Sequence, residues 1–404
     1  MYKNTINHQF VRLFIIKDPI MLTLTILFFI FLLTGILGLL LTPRLVNLSK
    51  ELHLFDVPDA RKIHQFPVPR VGGVLFLPVV SITTSIVLVV LLRLGYDIEN
   101  ICNETVVQHF FAYMAGVMML YTIGIYDDIH GVGYKVKFVV QILSATLLCV
   151  SGLWVADFSH VFYVDAVPWW VGMPVTVLMV IYVTNAMNLI DGIDGLASGL
   201  SCISLTMIAI LCLIVGDVAW TMLSVGYLGV VMAFFYFNVV NKKYKTFMGD
   251  AGSLTLGFTL AFLVLHFWQR NPVWNSEFHN VGIVAISTLV IPMFDVVRVF
   301  ASRIRDGRNP FLPDKNHIHH KLLRAGLSGH MTMMVILLMS IGFILSNYFI
   351  ASYLSQTLII VADVVLFVII HIVINKIIAR RENKASIELQ YQRVGATVAH
   401  ESGQ

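Results

Sequence analysis

The residues able to do chemistry fall into three acidic motifs and two basic loops. Gly124-Ile-Tyr-Asp127-Asp128 closes an apolar run. Two adjacent carboxylates at such an edge repel each other, which suits a nearby bound cation or a carboxylate kept as proton acceptor; a solvated helix end is the plainer reading. Asn185-Ala-Met-Asn188-Leu-Ile-Asp191-Gly-Ile-Asp194-Gly195 spaces two amides and two carboxylates three residues apart, so each pair shares a face where the chain is helical. Amides and carboxylates among glycines suit a hard cation or a nucleotide, or else an Asx-Gly turn. Phe247-Met-Gly-Asp250-Ala-Gly-Ser253 runs straight into another apolar block. Asp250 there is either a helix cap or an oxygen ligand for Mg²⁺, and Phe247 is either a flat surface for a base or interfacial packing. One basic loop follows Asp295, with Arg298, Arg303, Arg305 and Arg308 leading to His317-Ile-His319-His320-Lys321. It lacks the Cys, Glu-x-x-His or second spaced His pair of a zinc site, and imidazoles beside several Arg better serve an anionic substrate. The other is the Pro- and Gly-shaped loop Pro58 to Gly73, carrying Arg61, Lys62, His64 and Arg70. Lys135 and Lys137 either hold phosphate as point charges or anchor a helix at an interface.

The elements that must position these residues are membrane helices. Of 404 residues, 58% are hydrophobic and only 12% charged, with a mean hydropathy of +0.83. Those figures exclude a water-soluble, disordered or fibrous chain. The apolar blocks are roughly 18 to 25 residues long, the length of a helix crossing about 30 Å of hydrocarbon, and lack the alternation of an outer-membrane barrel. Eleven spans are expected, near 20–41, 73–94, 108–126, 137–155, 169–188, 196–215, 219–240, 252–268, 281–300, 331–350 and 355–376. The first is too long for a signal-peptide core and has no small-x-small cleavage site after it. Cys102, Cys149, Cys202 and Cys212 form no CxxC pair and read as small apolar residues. A net charge of +4 is too balanced to argue for nucleic acid. The distribution of charge says more. With the N-terminus outside and the C-terminus inside, all of the 27 Lys and Arg face the cytoplasm except Lys3, Arg12, Lys17, Arg93 and Arg270. The cytoplasmic connections are also those rich in Asp, Asn, His and Gly, so the active site is expected on them. The expected organisation is an all-α polytopic membrane domain over 1–380 with a polar cytoplasmic tail at 381–404.

Taken together, the five blocks resemble the polyprenyl-phosphate N-acetylhexosamine-1-phosphate transferase family, in order, over roughly residues 40 to 325. The carrying residues are Arg61-Lys62-Ile-His64 with Gly72-Gly73, Asp127-Asp128, Asn185 to Ala197, Phe247 to Ser253 and His317-Ile-His319-His320. The resemblance implies transfer of a sugar 1-phosphate from a UDP-N-acetylhexosamine to a polyprenyl phosphate, with release of UMP, in the bacterial cytoplasmic membrane. It implies Mg²⁺, with Mn²⁺ as a substitute, held by Asp250 and Asn188, and leaves room for a homodimer. It implies that Asp127 deprotonates or orients the lipid phosphate, supported by Asp128, with direct nucleophilic attack by Asp left open. Lys137 is implied as a diphosphate contact, Phe247 and Asp194 as uracil and nucleoside contacts with Asp191 in the same pocket, and His317, His319, His320 and Arg303 as sugar-phosphate contacts. Family members using a muramoyl-pentapeptide donor carry a three-His run followed by an acidic residue. The His-Ile-His-His-Lys run here is similar to the N-acetylglucosamine-type branch, which initiates envelope polymers such as O-antigen or teichoic acid.

Two other classes account for the same residues less completely. An intramembrane aspartyl protease needs a Gly-x-Gly-Asp pattern, but position 247 is Phe, and that reading leaves Asp191, Asp194 and the His cluster unused. A secondary transporter places ionisable groups near the bilayer midplane, whereas here the acids gather at helix ends; only Asp363 and Asp295 are placed deeper.

Overall fold

A computed structural model describes residues 19–52, 68–96, 101, 103–158, 161, 166–274, 281–309 and 316–401. The basic N-terminal segment, Arg61, Lys62, His64, Cys102 and Lys315 lie outside these. The described chain contains thirteen α-helices: α1 (Pro19–Glu51), α2 (Phe76–Arg93), α3 (Glu104–His130), α4 (Tyr134–Val150), α5 (Trp169–Ile190), α6 (Leu196–Ile214), α7 (Val218–Phe235), α8 (Gly249–Trp274), α9 (Val281–Ser287), α10 (Val290–Arg305), α11 (Ile318–Arg324), α12 (Gly329–Ile350) and α13 (Gln356–Glu401). Each expected span has a helix at its position. Among the described residues nine helices are long and apolar enough to cross a membrane, ten if the bent pair α9–α10 is one span; α4, with 17 residues, is shorter. The last helix continues past its apolar part through the polar tail to Glu401.

The ninth expected span is not the single straight helix that its hydropathy suggests: α9 and α10 meet at 62°. Pro292 has no N–H for the carbonyl of Thr288, so the ladder breaks there. The abandoned carbonyl accepts instead from Ser204 Oγ of α6 at 3.0 Å, and Ser287 and Thr288 turn their hydroxyls back onto the carbonyls of Val284 and Ala285. In an apolar medium those substitutions are what make a break tolerable.

α8 is the axis of the bundle. It packs against α3, α5, α6 and α9, and 94% of its apolar stretch is buried, against 22–61% in the other candidate spans. Its buried threonines are satisfied locally or by neighbours. Thr255 and Thr259 donate to the carbonyls one turn back at 2.6 and 2.7 Å, and Thr259 also meets Tyr113, whose hydroxyl reaches Tyr227 at 3.0 Å. The first turn of α8 is approached closely by the backbone of α3: a Cβ on Gly124 would lie 2.5 Å from the Cα of Ala251. Small residues at such a crossing are the usual means of bringing membrane helices together. Here the contact carries the end of α3, with both of its carboxylates, up to Asp250.

Candidate functional site

Four helix ends converge at the start of α8. Asp128, on the last turn of α3, accepts from the backbone N–H groups of Asp250 at 2.9 Å and Ala251 at 3.0 Å. It is thus the N-cap of α8, supplied by another helix, where its negative charge also meets the positive end of the helix dipole. Gly249 turns the chain into α8 with φ +71°, and a Cβ there would sit 2.5 Å from Asp128 Oδ2, so the cap requires glycine at this position. Asp127, one residue earlier, accepts at Oδ1 from the Val132 backbone N–H and presents Oδ2 to Lys137.

Lys137, near the start of α4, is the hub of the charges. Its ammonium lies 2.7 Å from Asp250 Oδ2 and 3.2 Å from Asp127 Oδ2. On the far side of Asp250, Asn188 Nδ2 at the end of α5 donates to Asp250 Oδ1 at 3.3 Å and to Ser253 Oγ at 2.7 Å. Asn185, although one turn earlier on the same helix, turns away and forms a reciprocal amide pair with Gln141 of α4, at 2.8 and 3.3 Å.

Asp250 and Asn188 open onto a cavity of about 550 Å³. Of the residues expected at the site, Asp191, Asp194, Phe247 and His320 also line it. Asp194 pairs with Lys245 at 2.5 Å, and the same ammonium lies 5.7 Å from the Phe247 ring centroid. Desolvation by the cavity walls, then the carboxylates of Asp250 and Asp194, push the Asp191 carboxyl up to about 7. The loop from Asp191 to Gly195 is tied down from α7. That helix ends in a π-turn (Tyr236–Val240), which aims Asn238 Oδ1 at the Gly195 N–H, 2.6 Å away, while Asn238 Nδ2 donates to the Thr246 carbonyl at 2.9 Å.

The His cluster divides. His317 does not line the cavity: it is buried and donates through Nδ1 to Asp295 Oδ2 at 2.8 Å. Asp295, fully buried in α10, also accepts from Arg298 at 2.7 Å and from the Ile318 backbone N–H at 3.0 Å, so it fixes the start of α11. His319 stacks on His317 with centroids 5.8 Å apart and touches His320 at 4.2 Å. It is packed so closely over Gly192 that a Cβ there would lie 2.2 Å from its Nε2. Burial, with the nearby His320 and His317, pushes its pKa down to about 3, so the ring is neutral. Only His320 of the three reaches the cavity wall. Arg303 is buried in α10, its guanidinium 6.0 Å from the Phe300 ring centroid, and is not part of that wall.

Arg70, Asn238, Lys245, Ser253 and His330 line the cavity without having been singled out as site residues. For Ser253 a signal existed, since it follows Asp250 by one helical turn. Arg70 and Lys245 were visible only as loop charges. Asn238 and His330 had no local signal.

The donor set around Asp250 is oxygen-rich, as a hard divalent cation requires. Among the described residues, however, no three His, Cys, Asp or Glu side chains come together as a cage. The residues fit an ion held by one or two protein ligands that leaves the rest of its shell to water and ligand phosphates.

The family model described as "Glycosyl transferase family 4" matches residues 110–267, which contain Asp127, Lys137, Asn188 and Asp250. A Bacillus subtilis protein named a probable undecaprenyl-phosphate N-acetylglucosaminyl 1-phosphate transferase is 34% identical over 331 residues, covering 81% of this chain and 85% of its own. Proteins named undecaprenyl-phosphate alpha-N-acetylglucosaminyl 1-phosphate transferase are 31% identical in Yersinia pestis (71% of this chain, 74% of that protein) and 30% identical in Escherichia coli (75% and 79%).

Proposed function

The chain belongs to glycosyl transferase family 4, among its polyprenyl-phosphate N-acetylhexosamine-1-phosphate transferases, and we propose from this that it transfers N-acetylglucosamine 1-phosphate from UDP-N-acetylglucosamine to undecaprenyl phosphate. The products are UMP and the lipid-linked diphosphate sugar. One observation supports this reading above the others: carboxylates, an ammonium and an amide from four helices meet around Asp250 at the mouth of one acid- and base-lined cavity.

In the reaction an oxygen of the lipid phosphate attacks the sugar-bearing phosphorus of the donor, and the bond to UMP breaks. One phosphoanhydride replaces another, so no ATP is needed. Asp127 is suited to orient the lipid phosphate or take its remaining proton, and Lys137 to shield that phosphate from Asp250. Asp128 acts as a positioning residue, because its carboxylate is occupied by the α8 backbone. Phe247, with Lys245 and Asp194 beside it, provides the nucleoside end of the cavity, and His320 the sugar-phosphate end. Asp250, with Asn188, would hold Mg²⁺, which when bound neutralises phosphate charge in the transition state. The site end of the bundle carries most of the basic loops, which supports placing it on the cytoplasmic face, where a soluble anionic donor reaches it.

The test is UMP release by detergent-purified protein given undecaprenyl phosphate, Mg²⁺ and, in parallel, UDP-N-acetylglucosamine, UDP-N-acetylgalactosamine or UDP-muramoyl-pentapeptide, each with an EDTA control. Metal-dependent UMP from UDP-N-acetylglucosamine is expected. Release only from another donor overturns the sugar, and release undiminished by EDTA overturns the metal.

A further inference from the structure

Arg70 occupies a wall of the cavity that no acidic or His motif supplies, and the backbone on both sides of it is hydrogen-bonded to the segment leading into α8. The Pro69 carbonyl accepts from the Phe247 N–H at 2.8 Å and from Thr246 Oγ1 at 2.9 Å, while the Gly72 and Gly73 N–H groups donate to the Phe247 and Met248 carbonyls, both at 3.0 Å. The residues on both sides of Arg70 are thereby stitched to the segment leading into Asp250. An arginine mounted on such a ladder has its Cα fixed relative to the start of α8.

The cavity's charge balance shows what that side chain is for. Asp191, Asp194 and Asp250 line the wall with Arg70, Lys245, His320 and His330, so with the three carboxylates ionised and the imidazoles neutral the lining is acidic by one charge before any divalent cation binds. The ligand it must take is itself an anion. Lys245 is 2.5 Å from Asp194, at the end of the cavity bearing Phe247. Arg70 lies within electrostatic range of Asp191 and of Asp128, the carboxylate that caps the start of α8. A planar guanidinium bonds two oxygens of a phosphate at once, which a lysine cannot do.

We propose that Arg70 is a binding residue for the diphosphate of the nucleotide-sugar donor, completing the charge that the acidic motifs leave uncovered. The inference rests on the transferase reading above and names a contact within it. Removing a charge-assisted bidentate contact weakens binding by roughly 10- to 100-fold.

The experiment measures equilibrium binding of uridine, UMP and UDP to the purified full-length protein in Mg²⁺, together with donor and lipid KM values from UMP release. Arg70→Leu, Arg70→Lys and the control Lys50→Leu are compared; Lys50 is an exposed cation at the end of α1, away from the cavity. In Arg70→Leu, UDP binding and donor kcat/KM should fall by roughly 10- to 100-fold while uridine binding is unchanged, with Arg70→Lys intermediate and Lys50→Leu like the parent. Should Arg70→Leu fail to fold by thermal melting, Arg70→Lys gives the same reading at smaller amplitude. Parental UDP binding in a folded Arg70 variant overturns the proposal. So does an increase in lipid KM with donor KM unchanged, which would assign Arg70 to the acceptor phosphate. A parent that binds UDP and loses it on Arg70→Leu, yet releases no UMP with any donor, keeps the contact and refutes the transferase reading instead.

Discussion

Replacing Lys137 by Met should slow the enzyme and, if Asp250 holds Mg²⁺ as proposed, lower the Mg²⁺ it needs. The ammonium lies 2.7 Å from Asp250 and 3.2 Å from Asp127, with all three side chains less than a quarter exposed. At an effective dielectric of about 20, the gross attractions are about 6 and 5 kcal/mol. Desolvation of the three groups offsets most of this, and truncating one partner of such a buried pair typically costs about 2 to 4 kcal/mol. At about 1.4 kcal/mol per tenfold, kcat/KM should fall roughly 30- to 1,000-fold in Lys137→Met. Under the proposed Mg²⁺ assignment, the ammonium also competes with the metal for Asp250 Oδ2. Its loss should therefore lower the Mg²⁺ concentration giving half-maximal rate, even as the maximal rate drops. The assay is UMP release titrated with Mg²⁺ for the parent, Lys137→Met and Lys137→Arg. A variant with parental kcat/KM, or one needing more Mg²⁺ than the parent, would refute the bridging role.

Gly124→Ala puts a Cβ 2.5 Å from the Ala251 Cα, so α3 must withdraw from α8 and carry Asp127 with it. A misplacement of about 1 Å costs on the order of 100-fold in rate, and that loss is expected with helical content retained by circular dichroism. Gly342→Ala, where a Cβ meets nothing within 4 Å, should be neutral; equal effects would discount the close approach. Asp295→Ala strands buried His317 and half-buried Arg298 and should lower the melting temperature by an amount equivalent to about 3–5 kcal/mol, whereas His317→Asn should cost less; equal losses would mean that Asp295 is not the anchor. With its carboxyl pushed up to about 7, Asp191 is largely neutral at pH 6 and ionised at pH 8. Ionisation adds a negative charge beside an anionic ligand, so UDP binding measured without divalent cation should weaken as pH rises through 7. Asp191→Asn should flatten that profile, and an unchanged slope would reassign the titration.

Much of the site was legible because its chemistry is written in short local motifs. Asp127, Asn188, Asp191, Asp194, Phe247, Asp250 and His320 are all in contact with the cavity or with Asp250. Residue type alone could not divide roles within a motif. Asp127 and Asp128 are adjacent and chemically identical, yet one faces Lys137 and the other caps α8. His317 and His320 are three apart, yet one is spent on Asp295 and the other lines the cavity. Arg70 was hidden for the opposite reason, since a single arginine in a Pro-Gly loop is unremarkable until its neighbours pair with residues 246–248.

By itself the sequence determined that the chain is a bundle of membrane helices, where those helices lie, and which side chains carry chemistry. Apolar length and residue spacing are local properties, and in a bilayer an unbroken helix satisfies its backbone polar groups within itself. Tertiary structure alone decided which of those side chains meet. Lys137 and Asp250 are 113 residues apart and Asp128 and Asp250 are 122 apart, joined only because glycine at position 124 lets α3 and α8 touch backbone to backbone. It also decided that the ninth span bends, since the break at Pro292 is sustained by a hydroxyl from α6 that no reading of residues 281–305 contains. Contacts of this kind depend on how helices cross, and a crossing is fixed by the fit of two distant surfaces.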